Sequence, residues 1–432
     1  MGCNESKVQD VKENHVEKDK LVTPNSKDSD FVIILDQAID EKTTDNTDSN
    51  GSKLTKSKRS KAKKPKPPDP PKEVEAASRI PLVGHTQNVD ICAWNPVQDI
   101  LLTAGTDRKM FLWDFQPSVT EPRVNELQLD HSDSASCAVW SDSGKWLVSG
   151  TEHGKVILWN NLGKALDQWT PHEGMARAIS VQGNKILSCG GGCVSVIDKS
   201  KRVWSRTAWN PTESIAVEWI SENQFLVGDY NGLIYLDSVE DGQMKKIDEN
   251  GEYSDSEPEH KYKAHSGGIY KIVRHSSRSN VFASCSVDCN INVWSVDKKS
   301  PIAILSGHFG YVVDLNWLPN ADIIVSASFD GSIKIWNSRS GDCQKTLEGH
   351  HGHVTKVSSS PNGKYLVSSG HDGYCNFWSM ESGELANSIE ASGRLLHASF
   401  NAGGSYVAMT SYGSVEILKL QFNEKEGKLR NK

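Results

Sequence analysis

Short runs of apolar residues, separated by polar turn residues, follow one another from about residue 80 to residue 420. Ile100–Ala104 and Ile323–Ala327 are mainly apolar, whereas Ser332–Trp336 alternates polar and apolar side chains. The first pattern is typical of a fully buried strand and the second of a half-buried one. Turn sequences such as Pro361–Lys364 separate the runs. The pattern predicts an all-β protein made of many short strands.

One spacing recurs along these strands. A Gly-His pair is followed by an Asp 22 residues after the His and a Trp six residues after that Asp, with Ser or Thr four residues before the Asp. The regular copies are His85, Thr103, Asp107, Trp113; His308, Ser326, Asp330, Trp336; and His350, Ser368, Asp372, Trp378. A looser copy is His265, Ser284, Asp288 and Trp294. A repeat of about forty residues is typical of a WD-repeat β-propeller blade.

These four residue types suit a structural relay better than a catalytic triad. The His of the entry turn donates to the Asp that caps the tight turn between the second and third strands, and it also bonds the Ser or Thr hydroxyl. That hydroxyl accepts the indole N–H of the Trp, which is a donor only. The relay satisfies polar groups that the blade would otherwise bury unpaired.

Degenerate repeats decide the number of blades. In the second repeat His153 stands where the Asp is expected, and in the third Gly191 and Ile197 occupy the Asp and Trp positions. Trp219 and Phe400 indicate two further repeats with no clear His. The onsets lie near residues 85, 131, 172, 210, 265, 308, 350 and 391. We predict an eight-bladed propeller, with seven blades as the alternative.

The chain divides into a tail and one folded body. Residues 1–78 are polar and nearly free of aromatic residues, which predicts a disordered tail. Residues 79–421 are assigned to the propeller, with an acidic insertion at 238–262, and 422–432 to a polar C-terminal tail. Arg79–Val83 is expected to supply the outer strand of the last blade, so that the ring leaves only short edges.

Composition narrows the function classes. The net charge of −7 gives no support for sequence-specific nucleic-acid binding by the body. No run is apolar enough to cross a bilayer, and nine cysteines with no CxxC pair indicate reduced thiols in the cytosol or nucleus. Cys189/Cys193 and Cys285/Cys289 allow a zinc interpretation, but buried strand cysteines are favoured. We therefore expect no metal, no cofactor and no enzymatic activity.

The tail carries two signals that point to different compartments. Met1–Ser6 fits N-myristoylation at Gly2 with palmitoylation at Cys3, and a single acyl chain would need a second membrane signal. Residues 53–66 form a basic block that is typical of nuclear import or of contact with an anionic surface, the alternative being a solvated charge run. Acylation would make this block the second membrane signal.

Two further segments are candidates for interaction or regulation. Val32, Ile33, Ile34 and Leu35 form an aliphatic run flanked by acids that resembles a SUMO-interacting motif. Its alternatives are a chance apolar patch or a strand that docks on this propeller. In the acidic insertion, Ser254 and Ser256 each precede a Glu by three residues, which suits acid-directed kinases, the alternative being an inert loop.

The repeats also resemble a known family, the transducin-β-like or Ebi-type WD-repeat proteins. The segments that carry the resemblance are Ile91–Pro96 with Asp99–Leu101, Val281–Asp288, Ser326–Asp330, Phe400–Gly404 and Tyr412–Val415. It implies an eight-bladed corepressor subunit that bridges histones, nuclear-receptor corepressors and a histone deacetylase. Members of that family normally begin with a LisH helical pair and an F-box-like segment, and residues 1–78 lack the apolar helical period that these require.

Residues beside the anchors of each turn are expected to contact a partner at the narrow face of the ring. They are Asn88, Thr106 and Arg108 in blade 1, Tyr311 and Phe329 in blade 6, and His353 and His371 in blade 7. Tyr311 and Phe329 are of the type enriched in binding hot spots. For each ring, the alternative is that it folds back over a neighbouring blade.

Two functions from different classes remain open. The favoured one is a non-enzymatic scaffold in the nucleus that binds corepressor or deacetylase subunits, histone tails and SUMO. The other is an N-acylated peripheral membrane adaptor in cytoplasmic signalling. The family resemblance and the basic block favour the first, and Gly2 and Cys3 favour the second.

Overall fold

Eight antiparallel sheets make up the fold. The computed structural model describes residues 74–115, 122–127, 133–200, 203–207, 214–240, 243–244, 258–319 and 321–422. These residues form 33 strands and no helix, and the sheets follow one another in chain order. The predictions of an all-β propeller and of eight blades are confirmed.

The strands are as follows. The last sheet contains the first strand, β1 (Val74–Leu82). Blade 1 has β2 (Ile91–Trp94), β3 (Ile100–Ala104), β4 (Met110–Asp114) and β5 (Arg123–Leu127). Blade 2 has β6 (Ala135–Trp140), β7 (Trp146–Thr151), β8 (Val156–Asn160) and β9 (Ala165–Trp169). Blade 3 has β10 (Ala176–Gln182), β11 (Lys185–Gly190), β12 (Cys193–Asp198) and β13 (Val203–Thr207). Blade 4 has β14 (Ser214–Trp219), β15 (Gln224–Asp229), β16 (Leu233–Glu240), β17 (Gln243–Met244) and β18 (His260–Lys263).

The second half of the ring continues this order. Blade 5 has β19 (Ile269–Arg274), β20 (Val281–Ser286), β21 (Ile291–Ser295) and β22 (Ala303–Leu305). Blade 6 has β23 (Val312–Trp317), β24 (Ile323–Ser328), β25 (Ile333–Asn337) and β26 (Cys343–Leu347). Blade 7 has β27 (Val354–Ser359), β28 (Tyr365–Gly370), β29 (Tyr374–Ser379) and β30 (Leu385–Glu390). Blade 8 has β31 (Leu395–Phe400), β32 (Tyr406–Ser411) and β33 (Ser414–Phe422), with β1 as its fourth strand.

The first strand of every blade lies innermost. Each of these strands contacts the first strands of the two neighbouring blades, and the series closes from β31 back to β2. In all blades except blade 1 the first strand carries a register shift after its first paired residue. The eight inner strands therefore surround a central channel, as in other propellers.

The ring is closed by pairing between the two ends of the folded body. β1 pairs antiparallel with β33 from Val74↔Phe422 to Leu82↔Val415. This outer strand begins five residues before the predicted Arg79, because β33 is long enough to pair with the additional residues. The Trp94 indole also donates to the Ser399 carbonyl at 3.1 Å, which joins the inner strands of blades 1 and 8.

The apolar core is divided among the gaps between blades. Eight clusters of buried residues each join two adjacent sheets, and together they complete the circle. The largest fully buried side chains include Trp159, Trp219, Trp294, Trp336 and Trp378. Each blade thus buries both of its faces against neighbours, and the alternating apolar positions of the sequence acquire partners on both sides.

The predicted acidic insertion lies between the third and fourth strands of blade 4. β16 pairs with β18 as an ordinary blade strand and extends to form a short hairpin with β17. β18 begins at His260, so the last residues of the predicted insertion belong to the blade.

Candidate interaction surface of the propeller

The His/Asp/Ser-or-Thr/Trp relay is present in blades 1, 5, 6 and 7. In blade 6, His308 Nδ1 lies 2.8 Å from Asp330 Oδ2 and His308 Nε2 lies 2.7 Å from Ser326 Oγ. The Trp336 indole N–H donates to the same hydroxyl at 2.8 Å. The corresponding distances are 3.0, 2.9 and 2.8 Å in blade 1, 3.0, 2.8 and 3.1 Å in blade 5, and 2.9, 2.8 and 2.9 Å in blade 7.

Burial prevents the relay hydroxyls from acting as nucleophiles. The residues Thr103 and Ser326 are 0% exposed, and each of their hydroxyls already accepts an indole N–H. Burial also lowers the pKa of His85, against the opposing effect of Asp107. A catalytic serine must reach its substrate, so this arrangement holds turns in place instead.

The relay carboxylates tie two loops together at one face of the ring. Asp330 accepts the backbone N–H groups of Phe309 in the entry loop and Ser332 in the tight turn. Burial, the largest influence on the pKa of Asp330, would raise it. The hydrogen bonds from His308, Ser332 and the backbone together hold the pKa well below its usual range. The pKa values of Asp288 and Asp372 are lowered by the same balance of effects.

Blade 2 has the relay with two residue types exchanged. Asp133, in the entry loop, lies 2.9 Å from His153 Nδ1 in the turn, and the Trp159 indole donates to Ser149 at 2.9 Å. The carboxylate side chain is 3% exposed and the imidazole 62% exposed. His131, from which the second repeat was counted, lies outside the described residues. The sequence placed His153 correctly in the turn but did not identify Asp133 as its partner.

In blade 3 a thiol contacts the relay histidine. His172 Nε2 lies 2.9 Å from Ser188 Oγ, and His172 Nδ1 lies 3.0 Å from Cys193 Sγ. Gly191 was expected in the Asp position. However, β11 and β12 are joined by a two-residue turn, and this short turn places the Cys193 thiol beside the His172 imidazole. Ile197 is buried in the Trp position, as the spacing indicated.

Four of the predicted partner-binding residues form one cluster. Phe329 stacks on His353 with a centroid distance of 4.5 Å and an interplanar angle of 11°. Tyr311 lies 6.1 Å from Phe329, and His371 lies 6.2 Å from Phe329 and 5.7 Å from His353. Tyr311 is 37% exposed and the other three residues are half-buried. We call these four residues the aromatic patch.

Backbone hydrogen bonds hold the loops that carry the aromatic patch. The Phe329 N–H donates to the Tyr311 carbonyl at 2.9 Å in blade 6, and the His371 N–H donates to the His353 carbonyl at 2.9 Å in blade 7. Each bond joins an entry loop to the following turn, next to the relay. The alternative considered for these residues was that each aromatic ring folds over a neighbouring blade. Phe329 of blade 6 does so, because it stacks on His353 of blade 7, and the aromatic patch is therefore continuous across two blades.

The other predicted contact residues lie on blade 1, beyond blade 8. The Asn88 carbonyl accepts the N–H of Thr106 at 2.9 Å, and Asn88 also forms a bridge with Tyr412 of blade 8. Thr106 and Arg108 are exposed, and Arg108 adopts a φ of 63°, a value that L-residues rarely adopt. Asn88 thus contributes backbone to ring closure, whereas Thr106 and Arg108 present side chains to solvent.

Sequence reasoning missed one further aromatic residue beside the patch. The backbone N–H of Phe309 donates to Asp330. With the backbone held on that side, the Phe309 side chain faces outward and is 91% exposed. The residue after the relay His makes the same bond in blades 1, 5 and 7 and is exposed there too. An exposed residue directly after each relay His could therefore have been predicted from the repeat.

Several predicted sites fall outside the described residues. These are Gly2, Cys3, Val32, Ile33, Ile34, Leu35, the basic block 53–66, Ser254 and Ser256. Their roles stay predictions.

The cysteine pairs considered for zinc face different partners. The Cys189 thiol approaches the Ser214 carbonyl in blade 4 at 3.5 Å, whereas the Cys193 thiol contacts His172. Burial raises the pKa of the Cys285 thiol above its ordinary value. Within the part of the chain that is described, no group of three or more His, Cys, Asp or Glu side chains has a metal-binding arrangement. The same residues contain no helix of the length and apolarity that a membrane span requires.

Comparison with known proteins agrees with this architecture. The WD40 model, described as WD domain, G-beta repeat, matches residues 78–114, 124–160, 256–295, 299–337 and 341–379. The first three strands of blades 3, 4 and 8, whose repeats are degenerate, fall outside these matches. The crystal structure of the C-terminal WD40 domain of Sif2 superposes with a TM-score of 0.68 at 18% identity, covering 81% of this chain and 99% of that one, which supports the fold.

Two curated relatives extend the comparison beyond the fold. The F-box-like/WD repeat-containing protein TBL1X of Homo sapiens is 25% identical over 265 residues, covering 58% of this chain and 36% of that protein. The WD40 repeat-containing protein HOS15 of Arabidopsis thaliana is 21% identical over 236 residues, covering 51% of this chain and 36% of that protein. The matched region thus spans little more than a third of either relative. The chain therefore contains WD repeats within a ring of eight blades, and its similarity to TBL1X supports a divergent relationship to the transducin-β-like WD-repeat proteins.

Proposed function

We propose that this protein is a non-enzymatic interaction scaffold of nuclear corepressor complexes of the histone deacetylase type. The observation that carries the proposal is the aromatic patch, a continuous surface of four rings on two blades of a WD-repeat ring. The nuclear corepressor setting is supported by similarity to the transducin-β-like protein TBL1X and by the basic block 53–66, which is typical of nuclear import signals.

The aromatic patch has the physical properties of a binding hot spot. Tyr311 and Phe329 offer large apolar areas and few rotatable bonds, so that little conformational entropy is lost when a partner covers them. Their loops are held by relay bonds and by the direct bond between Phe329 N–H and the Tyr311 carbonyl, which keeps the surface ready for binding.

The proposal is tested by quantitative pull-down from nuclear and cytoplasmic extracts. The intact chain is compared with a Tyr311→Ala/Phe329→Ala double variant. Deacetylase-corepressor subunits or histones should be recovered with the intact chain, and the variant should bind them with at least about 2 kcal/mol less free energy, roughly a thirtyfold weaker Kd.

A matched control removes exposed apolar side chains elsewhere. Leu162 and Leu166 of blade 2 are 70% and 50% exposed, so Leu162→Ala/Leu166→Ala deletes a similar kind of surface away from the patch. It should recover the same partners as the intact chain. Equal recovery by all three proteins would refute the role of the patch, and recovery of cytoplasmic or membrane partners alone would refute the nuclear assignment.

The acylated membrane adaptor is the second candidate, and the start of the sequence favours it. Gly2, Cys3 and Ser6 fit a dual-acylation signal, and the basic block would supply attraction to an anionic membrane. Gly2→Ala should disperse a membrane-bound pool if this candidate is right. Replacing Lys61, Lys63 and Lys64 should instead deplete a nuclear pool if the scaffold is right.

A further inference from the structure

Four polar residues occupy the same level of the central channel in consecutive blades. In blades 5 to 8 the residue that follows the bulge of the inner strand is Lys271, Asp314, Lys356 and His397, respectively. Because the bulge occurs at the same place in each strand, these side chains start from equivalent positions around the axis. The polar half of the channel is therefore built by four blades together.

The first three of these residues form a cluster with an excess of positive charge. Lys271 Nζ donates to Asp314 Oδ1 at 2.7 Å and to the Leu315 carbonyl at 3.0 Å. Lys356 Nζ lies 3.4 Å from the same Asp314 oxygen, and the other carboxylate oxygen accepts the Val357 N–H at 3.1 Å. Both oxygens of the one carboxylate are thus occupied, and two ammonium groups share it.

Lys356 is held less tightly than Lys271. Charged N–H···O bonds are usually about 2.7–2.9 Å long, and an ammonium group has three donors to place. Asp314 raises the pKa of Lys356 more strongly than any other single influence. Burial and the charge of Lys271 together outweigh it, so that the pKa lies below its ordinary value. An incoming anion would relieve this repulsion.

Two further titratable groups, His397 and Glu218, lie near the cluster. Burial, with the charge of Lys356, lowers the pKa of His397 to about 3, so this imidazole is neutral at pH 7. Burial raises the pKa of Glu218 to about 7, and its carboxylate lies 3.7 Å from Arg274. The Glu218 carboxylate attracts both Arg274 and Lys271. Asp314 is the carboxylate that contacts both lysines directly.

Both lysines of the cluster are accessible to solvent. The side chains of Lys271 and Lys356 are 36% and 32% exposed, whereas that of Asp314 is 1% exposed. At the same level, blades 2 to 4 carry small residues, which are Cys137, Ala178 and Ala216. The polar residues at this level are therefore confined to one half of the ring.

We propose that Lys356 and Lys271 bind a compact oxyanion, a phosphate or carboxylate group, in the central channel of the propeller. Lys356 supplies free donors, Lys271 supplies additional charge, and Asp314 keeps both ammonium groups at the channel wall. The site lies on the inner strands, so it is distinct from the aromatic patch on the loops and does not depend on the partner proposed above.

The test is isothermal titration calorimetry of the full chain at pH 7 and constant ionic strength. Inorganic phosphate and acetate are titrated separately, and saturable binding of either supports the proposal and identifies the preferred group. Lys356→Met should weaken that binding by at least about tenfold, as expected when a hydrogen bond to a charged group is lost. Lys356→Arg, which keeps the charge, should remain within about threefold of the natural protein.

Lys364→Met is the matched control, because Lys364 is exposed on the turn between β27 and β28 of the same blade. It should leave binding unchanged, and circular dichroism should show that all three variants are folded. The proposal is overturned if neither anion binds saturably, if Lys356→Met binds as well as the natural protein, or if Lys364→Met loses binding to the same extent.

Discussion

Removing one buried hydroxyl from the relay should destabilise the ring far more than removing an exposed one. In blade 6, Ser326 is fully buried and stands between Trp336 and His308. His308 Nδ1 faces the Asp330 carboxylate, and His308 Nε2 shares a hydrogen bond with the Ser326 hydroxyl. Ser326→Ala therefore leaves both an indole N–H and an imidazole nitrogen without their partner.

The size of the effect follows from these two orphaned groups. Each buried polar group that loses its hydrogen bond costs about 1–3 kcal/mol, so Ser326→Ala, which orphans two groups, should lower the free energy of unfolding by about 2–6 kcal/mol. Ser326→Thr keeps the hydroxyl, and Thr103 occupies the same relay position in blade 1. This variant should lose only about 1 kcal/mol, the lower end of the cost of fitting an extra methyl group into a packed core.

Denaturant unfolding of the three variants measures this difference. The exposed Ser340→Ala in the same blade is the control and should stay within about 0.5 kcal/mol of the natural protein. Tryptophan fluorescence and circular dichroism should give coincident transitions before a single free energy is assigned, since repeat proteins can lose cooperativity. A loss for Ser326→Ala no larger than that for Ser340→Ala would refute the structural role of the relay.

Three further outcomes are expected. The pKa values of Asp288, Asp330 and Asp372 are lowered in the fold, so the stability that these carboxylates contribute is complete above about pH 4. This stability declines as the pH falls through the lower folded pKa values. Denaturant midpoints measured from pH 5 to pH 2 should therefore fall, and they should fall less steeply for Asp330→Asn. Cys289→Gly should raise the free energy of unfolding by about 0.5–1 kcal/mol, because Cys289 has a φ of 69° that glycine adopts without strain, and an unchanged denaturant midpoint would contradict this. Deleting residues 74–82 removes β1 and exposes the edge of β33, so thermal unfolding should shift to lower temperature and light scattering should show self-association, whereas an unchanged monomer would argue against closure by this strand.

The repeat spacing alone was sufficient to predict the blades that carry the full relay. His308, Ser326, Asp330 and Trp336 are close in sequence, and their bonds form within one blade. Alternation of apolar and polar residues predicted the strands, because each residue type has to face either a neighbouring blade or solvent. The number of blades followed from the aromatic residues Trp219 and Phe400, which end inner strands even in degenerate repeats.

Local spacing failed where a turn changed length or two residues exchanged roles. Cys193 reaches His172 because the turn in blade 3 has only two residues, and Asp133 pairs with His153 because the acid and the imidazole have traded loops. A prediction that places the partner at a constant number of residues from the His cannot detect either change. In both blades the imidazole still has a polar partner. A polar partner for each buried polar group is the physical requirement behind the relay.

The sequence by itself therefore determined the strands and the relay of the regular blades, because these depend on contacts within a single repeat, and it favoured eight blades over seven. Only the tertiary structure decided which side chains meet across blades. Phe329 stacks on His353, and Lys271 shares Asp314 with Lys356, because ring closure brings equivalent positions of neighbouring blades side by side. Such contacts join residues from separate repeats, and nothing in one repeat specifies what the next will present to it. For that reason both proposed binding sites arise between blades.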